Sequence, residues 1–140
     1  MYTIKEVSKI MGISAYTLRY YEKISLLEFV KRDKNGVRQF TDSDLLTLNT
    51  IYRLKDTGTP LQKIKHYLDL IDEGIDSVSE RKEIMEEQKE SILHQISQLN
   101  KALETIDAKI KYYETAEKEH SLGVCHDERY ELLKNILRNN

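Results

Sequence analysis

Residues 12–22 read Gly12-Ile13-Ser14-Ala15-Tyr16-Thr17-Leu18-Arg19-Tyr20-Tyr21-Glu22. Gly12 can end a preceding helix, because glycine takes the left-handed conformation without steric cost. Ser14 can cap a following one by accepting a free backbone N–H. The helix upstream is opened by Thr3 and Glu6, which together form a capping box. It carries Ile4, Val7, Ile10 and Met11 at helical spacing. Two short helices around the turn Gly12-Ile13-Ser14 are the sequence form of a helix-turn-helix. In the second helix, Ala15 to about Lys23, Leu18 and Tyr21 share a face and can point to a core. A core needs no Arg19 and no pair of adjacent tyrosines, whereas guanidinium and phenol groups are good donors to phosphate oxygens and base edges.

Downstream, residues 29–40 combine an Asn35-Gly36 pair with Val30 and Phe40 as packing positions. Asn-Gly is the strongest short hairpin signal, because a two-residue turn needs positive φ at both central positions. The same segment holds Lys31, Arg32, Lys34 and Arg38, expected to face solvent. A cationic hairpin directly after a helix-turn-helix reads as a DNA-binding wing. Thr41, Asp42 and Asp44 start a third helix through Leu45, Leu48, Ile51, Tyr52 and Leu54, ended by Gly58. Thr59 is expected to cap a fourth, with Pro60 in its first turn and Leu61, Ile64, Tyr67, Leu68 and Ile71 as its apolar stripe. Residues 1–74 form one small module.

The character then changes. From Ser79 to Glu119 there is neither Gly nor Pro, and Ile92, Ile96, Leu99, Leu103, Ile106, Ile110 and Tyr113 recur at alternating steps of four and three. That is an a/d seam, extended upstream by Met85. A helix of roughly 37 residues spans about 55 Å. Such a seam cannot all be buried on a 74-residue module, so residues 75–119 are expected to pair with a second copy as a dimerising coiled coil. Residues 120–140 form a short tail, with Tyr130, Leu133, Ile136 and Leu137 on one side of a helix from Asp127. The fold class is therefore mainly α: four helices and a small β-hairpin wing, a long coiled-coil helix, and a helical tail.

Composition agrees. The 140 residues are 33% charged and 39% hydrophobic, with no Trp, two Phe and one Pro, which disfavours β-sandwiches and barrels. The charge is uneven. Residues 1–40 carry eight Lys or Arg against four acids, and residues 76–140 carry ten against fourteen. A basic end on a net acidic chain points to a polyanion partner. There is no apolar run of about 18 residues, no signal-peptide core after Met1, and a single cysteine, so a cytoplasmic protein is expected.

Catalysis finds little support: no phosphate-cradling glycine loop, no His-Glu-x-x-His and no Gly-x-Ser-x-Gly occurs. No cofactor and no enzymatic activity are expected. His120, Cys125 and His126 are too few for a structural zinc site, so no metal is expected either. Cys125 is the one candidate redox sensor. Glu117, Glu119, Asp127 and Glu128 around it would oppose thiolate formation against the single help of His126, which favours an ordinary thiol.

Tyr2-Thr3-Ile4-Lys5-Glu6-Val7, Thr17-Leu18-Arg19-Tyr20-Tyr21-Glu22, Asn35-Gly36-Val37-Arg38 and Phe40-Thr41-Asp42-Ser43-Asp44-Leu45 resemble the MerR family of bacterial transcriptional regulators. The resemblance is motif-specific over residues 2–72 and architectural over the whole chain. It implies a winged helix-turn-helix domain with Ala15 to Lys23 as recognition helix. It also implies homodimers through an antiparallel coiled coil, bound to double-stranded promoter DNA with an overlong spacer. Distorting that spacer lets RNA polymerase engage both promoter elements. The DNA-binding residues would be Ser14, Tyr16, Thr17, Arg19, Tyr20 and Tyr21 from the helix, with Lys31, Arg32, Lys34 and Arg38 from the wing.

The stretch Leu54-Lys55-Asp56-Thr57-Gly58-Thr59-Pro60-Leu61 is similar to members that respond to aldehydes and other electrophiles. Those members carry a cysteine in the third helix, where this sequence has Arg53. Metal-sensing members pair a cysteine or serine at the coiled-coil start with two cysteines in a later loop. Here Ser77 and Ser79 meet only Cys125. Drug-sensing members add a large C-terminal domain, for which 140 residues leave no room. The effector is thus unspecified, and a small ligand or partner at the coiled-coil end is the expected signal. The rival class is a coiled-coil adaptor whose small head binds protein. The cations around Asn35-Gly36 discriminate, because an adaptor has no need of them.

Overall fold

The computed structural model describes residues 1–119 and 133–138. The chain divides into two compact units, residues 1–88 and 89–140. In the first, α1 (Ile4–Met11), α2 (Ala15–Lys23), α3 (Asp42–Asp56) and α4 (Leu61–Asp72) are followed by a 3-10 turn, Gly74–Ser77, and the start of α5 (Val78–Glu119).

The helix starts follow local chemistry. Thr3 accepts from the Glu6 amide while the Glu6 carboxylate accepts from the Thr3 amide, and Thr41 and Asp44 repeat the arrangement at α3. These N–H donors satisfy backbone groups a helix start would leave free. The same bonds hold the Glu6 carboxyl below the usual carboxylate range. Helix α4 departs from expectation. Its N-cap is Pro60 and no side chain caps it. The Thr59 hydroxyl turns into the core instead, where its oxygen has no hydrogen-bond partner.

The core of this unit gathers one face of each helix: Val7 of α1, Ile13 of the turn, Leu18 and Tyr21 of α2, Leu26, Leu27, Val30 and Phe40 around the wing, Leu48, Ile51 and Leu54 of α3, and Ile64 of α4. Each fully buried aliphatic or aromatic side chain contributes about 1.5–3 kcal/mol. Ile4 and Met11 pack against this cluster from the edge, whereas Ile10 is exposed. On α4, Ile64 and Leu70 are buried, and Leu61, Tyr67, Leu68 and Ile71 are partly so. Met85 also packs here. Heptad spacing assigns that residue to the seam; in the structure it belongs to the head, which extends past residue 74.

The wing corrects a second expectation. No β-ladder forms among the described residues: Arg32 and Arg38 make a single antiparallel bridge, and Tyr2 and Phe40 make another. The turn is not the two-residue kind either. Gly36 has φ +80°, but Asn35 is not in the positive-φ region. The Gly36 amide donates to the Asp33 carbonyl and the Asp33 amide to the Val37 carbonyl, so the loop has three residues. The Asp33 carboxylate accepts from the amides of Asn35 and Val37. Those bonds hold its carboxyl below the ordinary aspartate range, with the Val37 contribution the largest.

At the end of α4, the buried Ser77 hydroxyl donates to the carbonyls of Leu70 and Gly74. Arg81 donates to the Ser77 hydroxyl oxygen at 3.1 Å and to the Gly74 carbonyl at 3.0 Å. Carbonyls left over at a helix end are thereby satisfied, with a cation placed at the negative end of the helix dipole. Gln88 donates to the carbonyl and hydroxyl oxygens of Thr57. The Lys63–Glu87 and His66–Glu80 pairs join α4 to α5 on the exposed side.

In the second unit, α5 continues to Glu119, and residues 133–138 are also helical. Tyr112 and Ala116 are buried. The expected helix start at Asp127, and Tyr130, lie outside the described residues.

Candidate nucleic-acid interface

Helix α2 has two faces of opposite character. Leu18 and Tyr21, three residues apart, enter the core. Tyr16, Arg19, Tyr20 and Lys23 follow the steps of three and four that share the other face, and all are exposed. Tyr16 is 80% exposed and Tyr20 43%. Motif reading does not single out Lys23; the period counted forward from Tyr16 finds it. Ser14 caps the helix by accepting from the Thr17 amide at 3.0 Å, and its hydroxyl donates to Thr17 Oγ1 at 2.9 Å. Ser8 Oγ donates to the Ile13 carbonyl at 2.6 Å and fixes the turn that aims α2 outward.

Tyr21 does not join this surface. It is 3% exposed, and burial, with smaller contributions from Tyr52, Asp56 and Tyr20, pushes its phenol up to about 12. Its ring lies 6.4 Å from that of Tyr20 at a tilt of 52°, so the adjacent tyrosines divide between core and solvent. A tyrosine at this depth braces α2 against the core.

The four wing cations also divide. Lys31 and Lys34 are exposed. Arg32 donates to Glu22 Oε1 at 2.7 Å and to the Gly36 carbonyl at 2.7 Å, so it is partly engaged. Arg38 is only 6% exposed, contrary to its expected solvent-facing place. Its guanidinium donates to the Val30 carbonyl, to Glu22 and to Glu28. A charge that deep needs such partners, and Glu22 and Glu28 lie 16 and 10 residues away in sequence.

The seam residues are open to solvent in the single chain. Ile96, Leu99, Leu103, Ile106, Ile110 and Tyr113 are each about half exposed or more, with Leu99 at 69%, and Ile92 is half-buried. Cys125, His120 and His126 lie outside the described residues. Among the described residues no group of three His, Cys, Asp or Glu side chains is placed to hold a metal ion. No helix among them is long and apolar enough to cross a membrane.

Comparison with known proteins assigns this arrangement. Residues 2–71 match the MerR HTH family regulatory protein model, and residues 45–109 match the MerR DNA-binding model. The chain belongs to the MerR family. This MerR-family protein is 39% identical over 115 residues to an uncharacterized HTH-type transcriptional regulator of Haemophilus influenzae, covering 82% of the chain and 85% of that relative. It is 33% identical over 100 residues to the HTH-type transcriptional regulator ZntR of Escherichia coli K12, covering 71% of each. Among solved structures, it superposes with a TM-score of 0.80 at 37% identity on HiNmlR, a MerR family regulator lacking the sensor domain, bound to promoter DNA. That match covers 89% of this chain and 95% of the other. A MerR-family transcriptional regulator from Bacillus thuringiensis gives 0.74 at 36% identity, covering 79% and 96%. The function class of this MerR-family protein is DNA-binding transcription regulation, as its sequence motifs imply, and its mainly helical fold is the one expected.

Proposed function

We propose that the protein binds double-stranded promoter DNA as a homodimer and controls transcription by distorting the promoter spacer in response to a signal. The observation that carries this is the outward face of α2, where Tyr16, Arg19 and Tyr20 stand clear of the core, together with the exposed lysines of the wing. Arg19 supplies the bidentate donor that suits a guanine edge, and the Ser14 and Thr17 hydroxyls at the helix start suit phosphate. Lys31, Lys34 and the exposed part of Arg32 add sequence-independent phosphate contacts. Residues 1–74 read DNA, residues 75–119 pair two copies through the seam from Ile92 to Tyr113, and residues 120–140 form the tail near which a small ligand or partner acts. Two-fold pairing presents two recognition helices to a palindromic site. The relative bound to promoter DNA supports the reading, as does the open seam. RNA polymerase at the distorted promoter is the partner this mechanism requires.

The experiment is a hydroxyl-radical footprint on DNA upstream of the protein's own gene. Two protected half-sites related by a dyad are expected. A chain that protects no DNA there or in neighbouring promoters, yet retains a protein by its head, would be the adaptor instead.

A further inference from the structure

Among the described residues Arg38 is the only buried Lys or Arg, and its contacts span two elements. Its Nε donates to Glu22 Oε1 at 3.3 Å, its Nη2 to Glu28 Oε1 at 3.1 Å, and its Nη1 to the Val30 carbonyl. Glu22 lies in the last turn of α2, on the helix that carries Arg19 and Tyr20. The same Glu22 oxygen accepts from Arg32 Nη2, and Arg32 Nη1 holds the Gly36 carbonyl at the wing turn. One carboxylate at the end of α2 therefore binds a residue from each arm of the wing.

Among the described residues no backbone hydrogen bond joins the wing to α2. The wing's arms share a single bridge, with the Gln39 amide donating to the Lys31 carbonyl and the Asp33 amide to the Val37 carbonyl, and a second bridge ties Phe40 to Tyr2. An isolated two-stranded hairpin is marginal in water. The orientation of Lys31 and Lys34 relative to α2 then depends on the side-chain network. Glu22 and Glu28 reach Arg38 from outside the core, while its own head is enclosed, so Arg38 is the member least able to be replaced by water.

We propose that Arg38 is a positioning residue for DNA binding: through Glu22 it holds the wing lysines in register with the recognition helix, so that helix and wing engage one duplex together. The proposal rests on the DNA-binding reading. Arg38 touches no phosphate itself, and its removal acts through Lys31 and Lys34.

The test is a mutant cycle on the full chain, read by fluorescence anisotropy with a mixed-sequence duplex across a salt series. Phosphate contacts are sequence-independent and each contributes about 0.9 to the slope of log K against log salt. The Lys31→Ala/Lys34→Ala variant should lower the slope by about 0.9 for every phosphate these lysines neutralise. Arg38→Met, with both lysines intact, should lower it by a similar amount, and combining all three should lower it no further. Arg38→Lys keeps the charge but not the fork, and should follow Arg38→Met. Circular dichroism checks that the helices persist. If Arg38→Met fails to fold, Glu22→Gln replaces it and should give the same decrease. Additive effects in the cycle, or a full slope with Arg38→Met or Glu22→Gln folded, would overturn the proposal. A wild-type chain with no salt-dependent DNA binding would overturn the DNA-binding reading instead.

Discussion

The head and the distal half of α5 use apolar residues in opposite ways. In the head, Val7, Leu18, Phe40, Leu48 and Ile51 are sealed from water, and α1 to α3 begin at side-chain caps. In the distal half, side chains of the same kind at heptad spacing remain half in water. Burial stabilises by about 25 cal/mol per Å² of apolar surface. The head has collected that gain within its own chain, and the seam has not. Two regions with similar residues thus differ in what covers them: one is closed within the chain, and the other leaves its stripe open, as the proposed pairing requires.

Leu99→Asp attacks the open side of this contrast and should have the largest effect. A carboxylate placed in a paired seam is costly unless partnered. Light scattering should then detect monomers. Operator affinity should fall by about 100- to 10,000-fold, because the second half-site is no longer tethered to the first. The head should melt as before, and a stable mutant dimer would move the interface elsewhere.

The closed side is attacked by Leu18→Ala, which should destabilise the head by about 2–5 kcal/mol through reduced burial and a cavity. Chemical denaturation measures it, and the oligomeric state should not change. Its neighbour sharpens the comparison. Arg19→Ala should weaken operator binding by about 1–3 kcal/mol while leaving the denaturation midpoint nearly unmoved. A midpoint shift at unchanged affinity would make Arg19 structural.

The smallest effect concerns acid. The Asp33 carboxyl titrates below its ordinary value in the folded chain, so its contribution is full above that value and is lost as pH falls through the depressed one. The wing turn should therefore loosen only in strong acid. Amide chemical shifts of Asn35 and Val37 followed from about pH 6 downward should move together below the usual aspartate midpoint of about 3.9. An ordinary midpoint would show that the turn does not depend on this carboxylate.

How far the sequence can be read follows the range of the interactions. Helix starts at Thr3, Ser14 and Thr41 are legible because a cap involves residues three apart. The faces of α2 are half legible: the spacing from Leu18 to Tyr21 suggests burial, yet only packing decides which of two adjacent tyrosines turns inward. The wing misleads twice. Asn35-Gly36 favours a two-residue turn, and the Asp33 side chain instead stabilises a three-residue loop. Arg38 looks like a surface cation because its partners Glu22 and Glu28 are distant in sequence. Heptad arithmetic cannot tell that Met85 packs in the head, since a seam and a core ask for the same residue type.

Under the proposed pairing, the exposed stripe of α5 would also set how the regulator responds to its own abundance. A chain that must pair through Ile96, Leu99 and Leu103 before it can span two half-sites gains operator occupancy as the square of its concentration while monomers predominate. Halving the number of copies in a dilute cell would then cut occupancy about fourfold, whereas above the pairing threshold the same change would cut it by about twofold at most.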